Sequence, residues 1–203
     1  MKITALKQQV KNPERVSIFV DGKYSFSLSL GELVTERVKS GNELDAPTLK
    51  RLQKLSADGK LKARALAWLL NRPHSTREFH DYLRRKKVEP EMTEKLTQEF
   101  SGKQYLNDEA YGRWLVELKS RAGKSSRAIR AELFKKGVAR EVVEKVLAGD
   151  SEDELERLKI IIAKKRRLSR YKNDPARLTK YLTSQGFSYY LVKQQLNIDW
   201  PQS

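Results

Sequence analysis

The chain has 203 residues, with 42 lysine and arginine residues against 26 aspartate and glutamate residues, which gives a formal net charge of +16. It contains no cysteine, which excludes disulfides, cysteine zinc sites and thiol catalysis. No apolar run approaches the roughly 20 residues that span a bilayer, and the first residues lack a signal-like apolar stretch. We therefore expect a cytoplasmic protein. The positive excess makes nucleic acid the first partner to consider and an anionic membrane surface the second.

The first 30 residues show the alternation of β strands, with a turn signal at Asp21-Gly22. A two-residue loop would pair Ile18 with Ser25 and place the two apolar sets on opposite faces. A three-residue loop, which starts one residue earlier and ends in a left-handed glycine, pairs Ile18 with Tyr24 instead. We predict the three-residue loop. Because an isolated hairpin is marginal in water, we also predict a third strand at Ile3–Gln9.

From Leu30 onward the apolar spacing becomes helical. A first helix should begin at Leu30 and stop by Gly41, and Asp45 should cap a second helix that Gly59 closes. We predict that these two helices link the strands to the rest of the chain.

A three-helix pattern then begins. One helix should end before Pro73, where helical geometry is disfavoured. A second opens at the capping box Ser75–Glu78, and a third has Pro90 at its first position. This arrangement predicts a compact group of three helices.

The three-helix pattern occurs three times. Leu83 aligns with Leu133 at a shift of 50 residues, and Leu133 with Leu182 at a shift of 49. Gly137 and Gly186 occupy the position of a left-handed helix cap, where the first copy has Lys87. Asp174-Pro175 should open the middle helix of the third copy, and Ser151 with Glu154 should form a capping box for its first helix.

These repeats set the predicted fold class, which is mostly α. Tandem units of this length bury their apolar faces against neighbours and form an elongated solenoid. The predicted divisions are a β segment with linking helices at 1–61 and three-helix repeats at 62–108, 109–151 and 152–203.

Several ordered motifs together resemble a known family. They are Val20-Asp21-Gly22; Ala65, Leu69, Arg72, Pro73 and Ser75; Tyr105 to Tyr111 followed by Trp114; Glu132, Leu133, Lys136, Gly137 and Val138; and Gln185-Gly186-Phe187. The set covers nearly the whole chain and is similar to the RecX regulatory proteins, which restrain the RecA recombinase. The resemblance implies three three-helix repeats after an N-terminal β segment. It also implies binding to RecA or the RecA–DNA filament, and often to DNA, which blocks filament growth, recombinase and coprotease functions. Lys87 departs from the family, which often has glycine there.

The sequence gives little support for catalysis. His74 and His80, the only histidines, are six residues apart and lack the spacing of a helical metal pair, so we interpret both as solvent-facing. The acids at 152–154 suit a first helical turn, where they stabilise the helix dipole without a metal. Gly123-Lys124-Ser125 lacks the upstream glycine of a P-loop. We predict no enzymatic activity, metal or cofactor.

The strongest local signal is the basic segment, Lys164–Lys172, with six positive residues in nine. Residues 155–203 carry 11 basic and 3 acidic side chains. The segment could be a solvated helix end, where cations favour the dipole. Because only Asp174 lies nearby to compensate, we favour contact with nucleic acid or an acidic protein. The residues assigned to RecA or DNA binding here are Lys164, Lys165, Arg166, Arg167, Arg170 and Lys172.

Tyrosines and further cations extend this assignment. Tyr171, Tyr189 and Tyr190 could stack on exposed bases, although packing in a core is the commoner role. The cations that end the middle helices of the first two repeats are either helix caps or a row along one side of the solenoid, and the sequence leaves both open. These additional candidate RecA or DNA contacts are Arg84, Arg85, Lys86, Lys135 and Lys136.

Two functions remain in view. In the first, a monomeric regulator binds the RecA filament and contacts single- or double-stranded DNA, with no membrane partner. In the second, the chain is an independent architectural DNA-binding protein whose helix-glycine-helix units act like helix-turn-helix elements. The family resemblance favours the first.

Overall fold

The structure is a computed structural model that describes the backbone of residues 1–148 and 150–197 and their side chains except those of residues 150–152. The strands are β1 (Ile3–Gln9), β2 (Asn12–Val20) and β3 (Lys23–Ser29). The helices are α1 (Leu30–Thr35), α2 (Ala46–Leu69), α3 (Thr76–Arg85), α4 (Pro90–Gly102), α5 (Asp108–Arg121), α6 (Ser126–Lys135), α7 (Arg140–Val146), α8 (Asp150–Arg166), α9 (Ser169–Lys172), α10 (Pro175–Ser184) and α11 (Tyr189–Leu196). The mostly helical fold with an N-terminal β segment is confirmed. The chain forms two units, Met1–Trp68 and a second that begins at Leu69.

The three strands form one antiparallel sheet in the order β1-β2-β3, so the predicted third strand is confirmed. The predicted register of the hairpin is wrong. The loop has two residues, Asp21 and Gly22, with φ of +48° and +80°, as a two-residue hairpin turn requires. Ile18 pairs with Phe26, because a bulge takes up Ser25. The bulge, rather than a longer loop, returns the apolar residues of both strands to one face.

The linking helices also differ from the prediction. The first, α1, ends at Thr35, well before Gly41, and is opened by a capping box between Ser29 and Glu32. Asp45 caps α2 as predicted, since its carboxylate accepts the amide of Thr48 at 2.9 Å. Gly59, however, does not close this helix.

Gly59 lies inside the 24-residue helix α2. A Cβ atom added there would meet Glu32 Oε1 at 2.6 Å. The missing side chain therefore allows α1 to lie close to α2, which is a different reason for a glycine than termination of a helix.

In the second unit, the middle helices of the three repeats are α3, α6 and α10. Each ends before a residue with positive φ, namely Lys87 (+56°), Gly137 (+77°) and Gly186 (+101°), which confirms the predicted left-handed caps. Pro90 and Pro175 occupy the first turns of their helices as expected. The proposed box between Ser151 and Glu154 rests on a side chain outside the described set, and the repeat boundaries stay a prediction.

The second and third repeats each contain an apolar cluster of their own. The cluster of the second repeat includes Tyr111, Ile129 and Leu133. The equivalent cluster of the third repeat includes Leu178 and Leu182. No described helix is both long and apolar enough to cross a membrane.

Candidate functional site

The middle helices of successive repeats meet end to end. Ser75, the N-cap of α3, donates its hydroxyl to the carbonyl of Lys136, the C-cap of α6, at 2.9 Å. In the next pair, the amide of Ser125, the N-cap of α6, donates to the carbonyl of Gln185, the C-cap of α10, at 3.1 Å. A helix start is therefore hydrogen-bonded to a helix end at both junctions, through the serine hydroxyl at the first and the serine backbone amide at the second.

Both contacts require a glycine just beyond the helix end. A Cβ atom on Gly137 would lie 2.9 Å from Cβ of Arg77. One on Gly186 would lie 2.6 Å from Cβ of Ala128 and also overlap the Ser125 hydroxyl. These glycines therefore serve a left-handed backbone and a close approach at the same time.

At each junction, an acid in the first helix of the later repeat also accepts a backbone amide from the start of a middle helix. The carboxylate of Asp108, at the start of α5, accepts the amide of Thr76 at 2.7 Å. That of Glu154, in α8, accepts the amide of Ser126 at 2.9 Å. Sequence reasoning placed Glu154 in a capping box of its own helix and missed the role it shares with Asp108, because the two acids lie 46 residues apart, out of phase with the 49- and 50-residue repeat shifts. Only the folded chain brings them to equivalent positions.

Glu78 is the charged centre of the first junction. Its carboxylate accepts hydrogen bonds from Arg72 at 2.9 Å and from Lys136 at 2.8 Å. Burial raises the pKa of Glu78, but the hydrogen bonds from these two cations outweigh it and hold the pKa at about 2. One half of the predicted capping box forms, because the Ser75 hydroxyl accepts a hydrogen bond from the Glu78 amide. The Glu78 side chain binds the two cations and does not complete the box.

His74 contradicts the solvent-facing interpretation of the histidines. It is buried, with 4% of its surface exposed, and its Nδ1 lies 3.3 Å from the Glu78 carboxylate. His80 is half-buried, with Nε2 3.0 Å from the Thr97 hydroxyl. The two histidines therefore belong to packed structure.

The basic segment divides between two helices. Lys164, Lys165 and Arg166 form the last turn of α8, and Arg170 and Lys172 lie in α9. Lys165 is half-buried, with its ammonium 4.4 Å from the ring centroid of Tyr181, so it is engaged within the fold and does not face solvent. A cation over an aromatic face stabilises the fold.

The other five cations of the basic segment are exposed. The ion pairs found among the described residues include none of them. These exposed cations are Lys164, Arg166, Arg167, Arg170 and Lys172.

The three tyrosines near the basic segment have different surroundings. Tyr171 is a core residue with 8% of its surface exposed, whereas Tyr189 and Tyr190 are 52% and 76% exposed. Arg170 lies over the ring of Tyr171, 4.9 Å from its centroid. Only the two tyrosines at the start of α11 therefore present a ring to a partner.

The second set of predicted cations is partly engaged within the chain. Lys136 is half-buried and bound to Glu78. Arg84 pairs with Asp81, and the ammonium of Lys86 lies 5.9 Å from the centroid of the Tyr82 ring. Arg85 and Lys135 are exposed. Among the described residues, the basic segment therefore has more exposed cations without an ion pair than this second set has.

Comparison with known proteins places this arrangement in a family. Residues 1–45 match the regulatory protein RecX N-terminal domain, and residues 107–147 match the second three-helix domain of RecX. Regulatory protein RecX of Bacillus subtilis (strain 168) is 30% identical over 201 residues, which cover 96% of this chain and 76% of that protein. The chain belongs to the RecX family. The matched three-helix domain contains α5, α6 and α7, the repeat that takes part in both junctions.

Other RecX proteins align over different shares of their length. Regulatory protein RecX of Clostridium botulinum (strain Alaska E43 / Type E3) is 29% identical, with 95% of this chain and 93% of that protein covered. The RecX of Listeria monocytogenes serovar 1/2a is 29% identical over 75% of this chain, and the aligned part is 57% of the length of that protein. For the RecX of Listeria innocua, the aligned part is 55% of the length of the relative.

Solved structures of RecX proteins share the fold. A crystal structure of regulatory protein RecX superposes with a TM-score of 0.73 at 25% identity, over 97% of this chain and 99% of that one. RecX from Lactobacillus salivarius gives a TM-score of 0.59 at 21% identity, over 69% of this chain and 94% of that one, and supports the fold alone.

Proposed function

We propose that this RecX-family chain binds RecA or the RecA–DNA filament and inhibits filament growth, recombinase activity and coprotease activity. Membership of a family of regulatory proteins supports a role in binding rather than catalysis. We infer that the chain acts as a monomer, without a cofactor, in the cytoplasm where RecA works.

The exposed cations of the basic segment carry the proposal for how this partner is held. Five positive side chains lie within nine residues, and none forms an ion pair among the described residues. Unpaired cations at this density attract acidic protein surfaces and nucleic acid phosphates. We therefore assign them to acids of RecA, to DNA phosphates in the filament, or to both.

The second set of cations has a smaller part in the proposal. Lys136 holds Glu78 at 2.8 Å, so its loss would disturb the junction between repeats. Arg85 and Lys135 are exposed and could add to contact with the partner. We propose that the basic segment dominates and that these two residues contribute at its margin.

A charge-reversal variant tests this assignment. The variant changes the charge by eight and leaves Lys165 in contact with the Tyr181 ring. Its four replacements with glutamate are at Lys164, Arg166, Arg167 and Arg170. We expect the variant to keep its circular dichroism spectrum and to need at least tenfold more protein to suppress the DNA-dependent ATPase of RecA.

A matched control carries four reversals in the first unit. Lys11, Lys23, Lys39 and Lys54 are all exposed, and their replacement with glutamate also changes the charge by eight. This control should inhibit RecA nearly as well as the unaltered chain. Equal losses in both variants would contradict a localised site. If the unaltered chain binds DNA well and leaves RecA unaffected, the architectural alternative replaces this proposal.

Salt dependence tests the DNA contact separately. If the five exposed cations each meet one phosphate of a single strand, affinity should fall roughly a hundredfold between 50 and 200 mM salt, from a slope near −0.7 per contact. Fluorescence anisotropy with a labelled oligonucleotide would measure the slope. An affinity that does not change with salt would rule out this mode of binding.

A further inference from the structure

A groove runs between α10 and α11 in the third repeat. Its volume is about 530 Å³, within the range of pockets that hold small organic ligands. Apolar and threonine side chains form its walls, and Tyr189, Lys180 and Lys193 stand among them. The Tyr189 ring is 52% exposed, so one part of its surface is available to a ligand.

The equivalent surfaces of the other repeats differ in charge. The repeat shifts place Glu94 and Glu144 at the position of Lys193. In the first repeat the groove is lined mainly by charged and polar side chains, Glu94 included, together with Val88 and Pro90. In the second repeat Glu144 pairs with Arg130 at 3.1 Å, which joins α6 to α7. The groove of the third repeat is thus the one of these three surfaces that combines two lysines with an aromatic ring and has no acid among its lining residues.

We propose that this groove binds one base of a single-stranded nucleic acid. The base would stack on the ring of Tyr189, and Lys180 and Lys193 would receive the adjoining phosphates. Stacking on an aromatic side chain combined with a positive groove is how proteins hold single strands without sequence preference. A base paired within a duplex cannot present its face in this way. The inference rests on the proposed function, since it gives the DNA contact a second component.

The basic segment leads directly to this groove. Lys172 ends α9, and Pro175, which lines the groove, begins α10 three residues later. Three residues span at most about 11 Å. Lys172 and the edge of the groove are therefore close enough for one strand to reach both.

Two oligonucleotides of equal length and charge separate these contacts. One is an oligodeoxythymidine, and the other has the same phosphates with abasic sugars. We expect Tyr189→Leu to weaken binding of the first by roughly 5- to 150-fold, the contribution of one stacked base, and to leave the second within twofold. The double variant Lys180→Gln and Lys193→Gln should weaken both and lower the salt slope by about 1.4, since two phosphate contacts are lost.

Two tyrosines provide controls. Tyr190→Leu removes the neighbouring ring on α11, and this ring does not line the groove. Tyr24→Leu removes the ring of a tyrosine that is also 52% exposed but lies in the first unit. Both should bind the two oligonucleotides like the unaltered chain. The circular dichroism spectrum of each variant shows that it is folded.

Three outcomes would overturn the groove. In the first, the unaltered chain binds both oligonucleotides with equal affinity. In the second, Tyr189→Leu loses the same affinity for both oligonucleotides. In the third, Tyr190→Leu loses the preference for the oligonucleotide with bases and Tyr189→Leu does not. None of them affects the proposed function, which is measured by inhibition of RecA and its loss on reversal of the basic segment. An acidic peptide as the natural occupant would also give the first outcome.

Discussion

At the two junctions between repeats an N-cap serine meets a C-cap carbonyl, but the chemistry around that contact differs. At the first, Glu78 lies between Arg72 and Lys136, and the Gly137 backbone passes the Arg77 side chain. At the second, the position of Glu78 is occupied by Ala128, and Gly186 passes directly over it. The first junction is held by ion pairs to the largely buried Glu78 carboxylate and the second by close packing of small residues.

This difference shows which part of the repeat is fixed by its geometry. The left-handed glycine and the N-cap serine are present at both junctions, because the close approach of helix ends depends on them. The side chain three residues after the N-cap can be an acid or an alanine. At both junctions an N-cap serine donates to the C-cap carbonyl of the next middle helix, while the donating atom and the surrounding side-chain interactions vary.

Substitution of the junction glycines should have the largest effect on stability. Gly186→Ala adds a left-handed strain and places a Cβ within 2.6 Å of Ala128 Cβ, so we expect a loss of about 3 kcal/mol or more. Gly137→Ala, whose Cβ would meet Arg77 at 2.9 Å, should lose about 2 kcal/mol. Urea unfolding would measure both.

Gly102→Ala is the control for this comparison. Gly102 ends α4 without a positive φ, and an added Cβ would meet nothing within 4 Å. Its replacement should be neutral or stabilise the chain by up to about 1 kcal/mol. If all three variants unfolded alike, close approach would not be the reason for the junction glycines.

Acid should weaken the first junction selectively. The pKa of Glu78 in the folded chain is about 2, below its ordinary value of 4.5. A lowered pKa means that this carboxylate stabilises the fold fully above about pH 4.5, and that the stabilisation is lost as the pH falls to about 2. The pKa difference sets an upper limit on the order of 3 kcal/mol, and the actual size is smaller because Arg72 and Lys136 are partly exposed and solvent screens both pairs.

The variant Glu78→Gln isolates this contribution. It should be less stable than the unaltered chain at pH 7, because Arg72 and Lys136 lose their charged partner, and the deficit should shrink as the pH falls from about 4.5 to about 2. Glu117→Gln removes an exposed carboxylate that pairs with Arg121 and should show little effect at either pH. A deficit for Glu78→Gln that stayed constant in acid would contradict the charged junction.

The sequence predicted the elements of this fold better than the contacts between them. The repeat, the left-handed caps and the third strand follow from local patterns. The hairpin register failed because aspartate tolerates positive φ, so Asp21 and Gly22 form the whole turn and a bulge at Ser25 corrects the faces. Gly59 was interpreted locally, whereas its neighbour is Glu32, 27 residues away.

The sequence predicted which segment of the candidate site is rich in cations, but not which of its side chains make contacts within the fold. The density of cations in the basic segment is visible in the sequence. That Lys165 lies over Tyr181 and that Lys136 binds Glu78 depends on residues 16 and 58 positions away. The groove was missed because Lys180, Tyr189 and Lys193 come from two helices and show no local motif. Comparison of equivalent positions in the three repeats, where acids at 94 and 144 become a lysine at 193, is a sequence signal that could have indicated it.

The smallest effect is expected at the end of α3, where Lys87 stands in place of the glycine. Its φ of +56° resembles the +77° of Gly137, but Lys87 is exposed, so no helix start requires the absence of a Cβ atom there. Lys87→Gly relieves the left-handed strain and at the same time increases the freedom of the unfolded chain, two terms of about 1 kcal/mol with opposite signs. We therefore expect the urea midpoint to stay nearly unchanged, in contrast to Gly137→Lys, which should lose at least as much stability as Gly137→Ala. A loss of more than about 1 kcal/mol in Lys87→Gly would instead show that the Lys87 side chain packs in the fold.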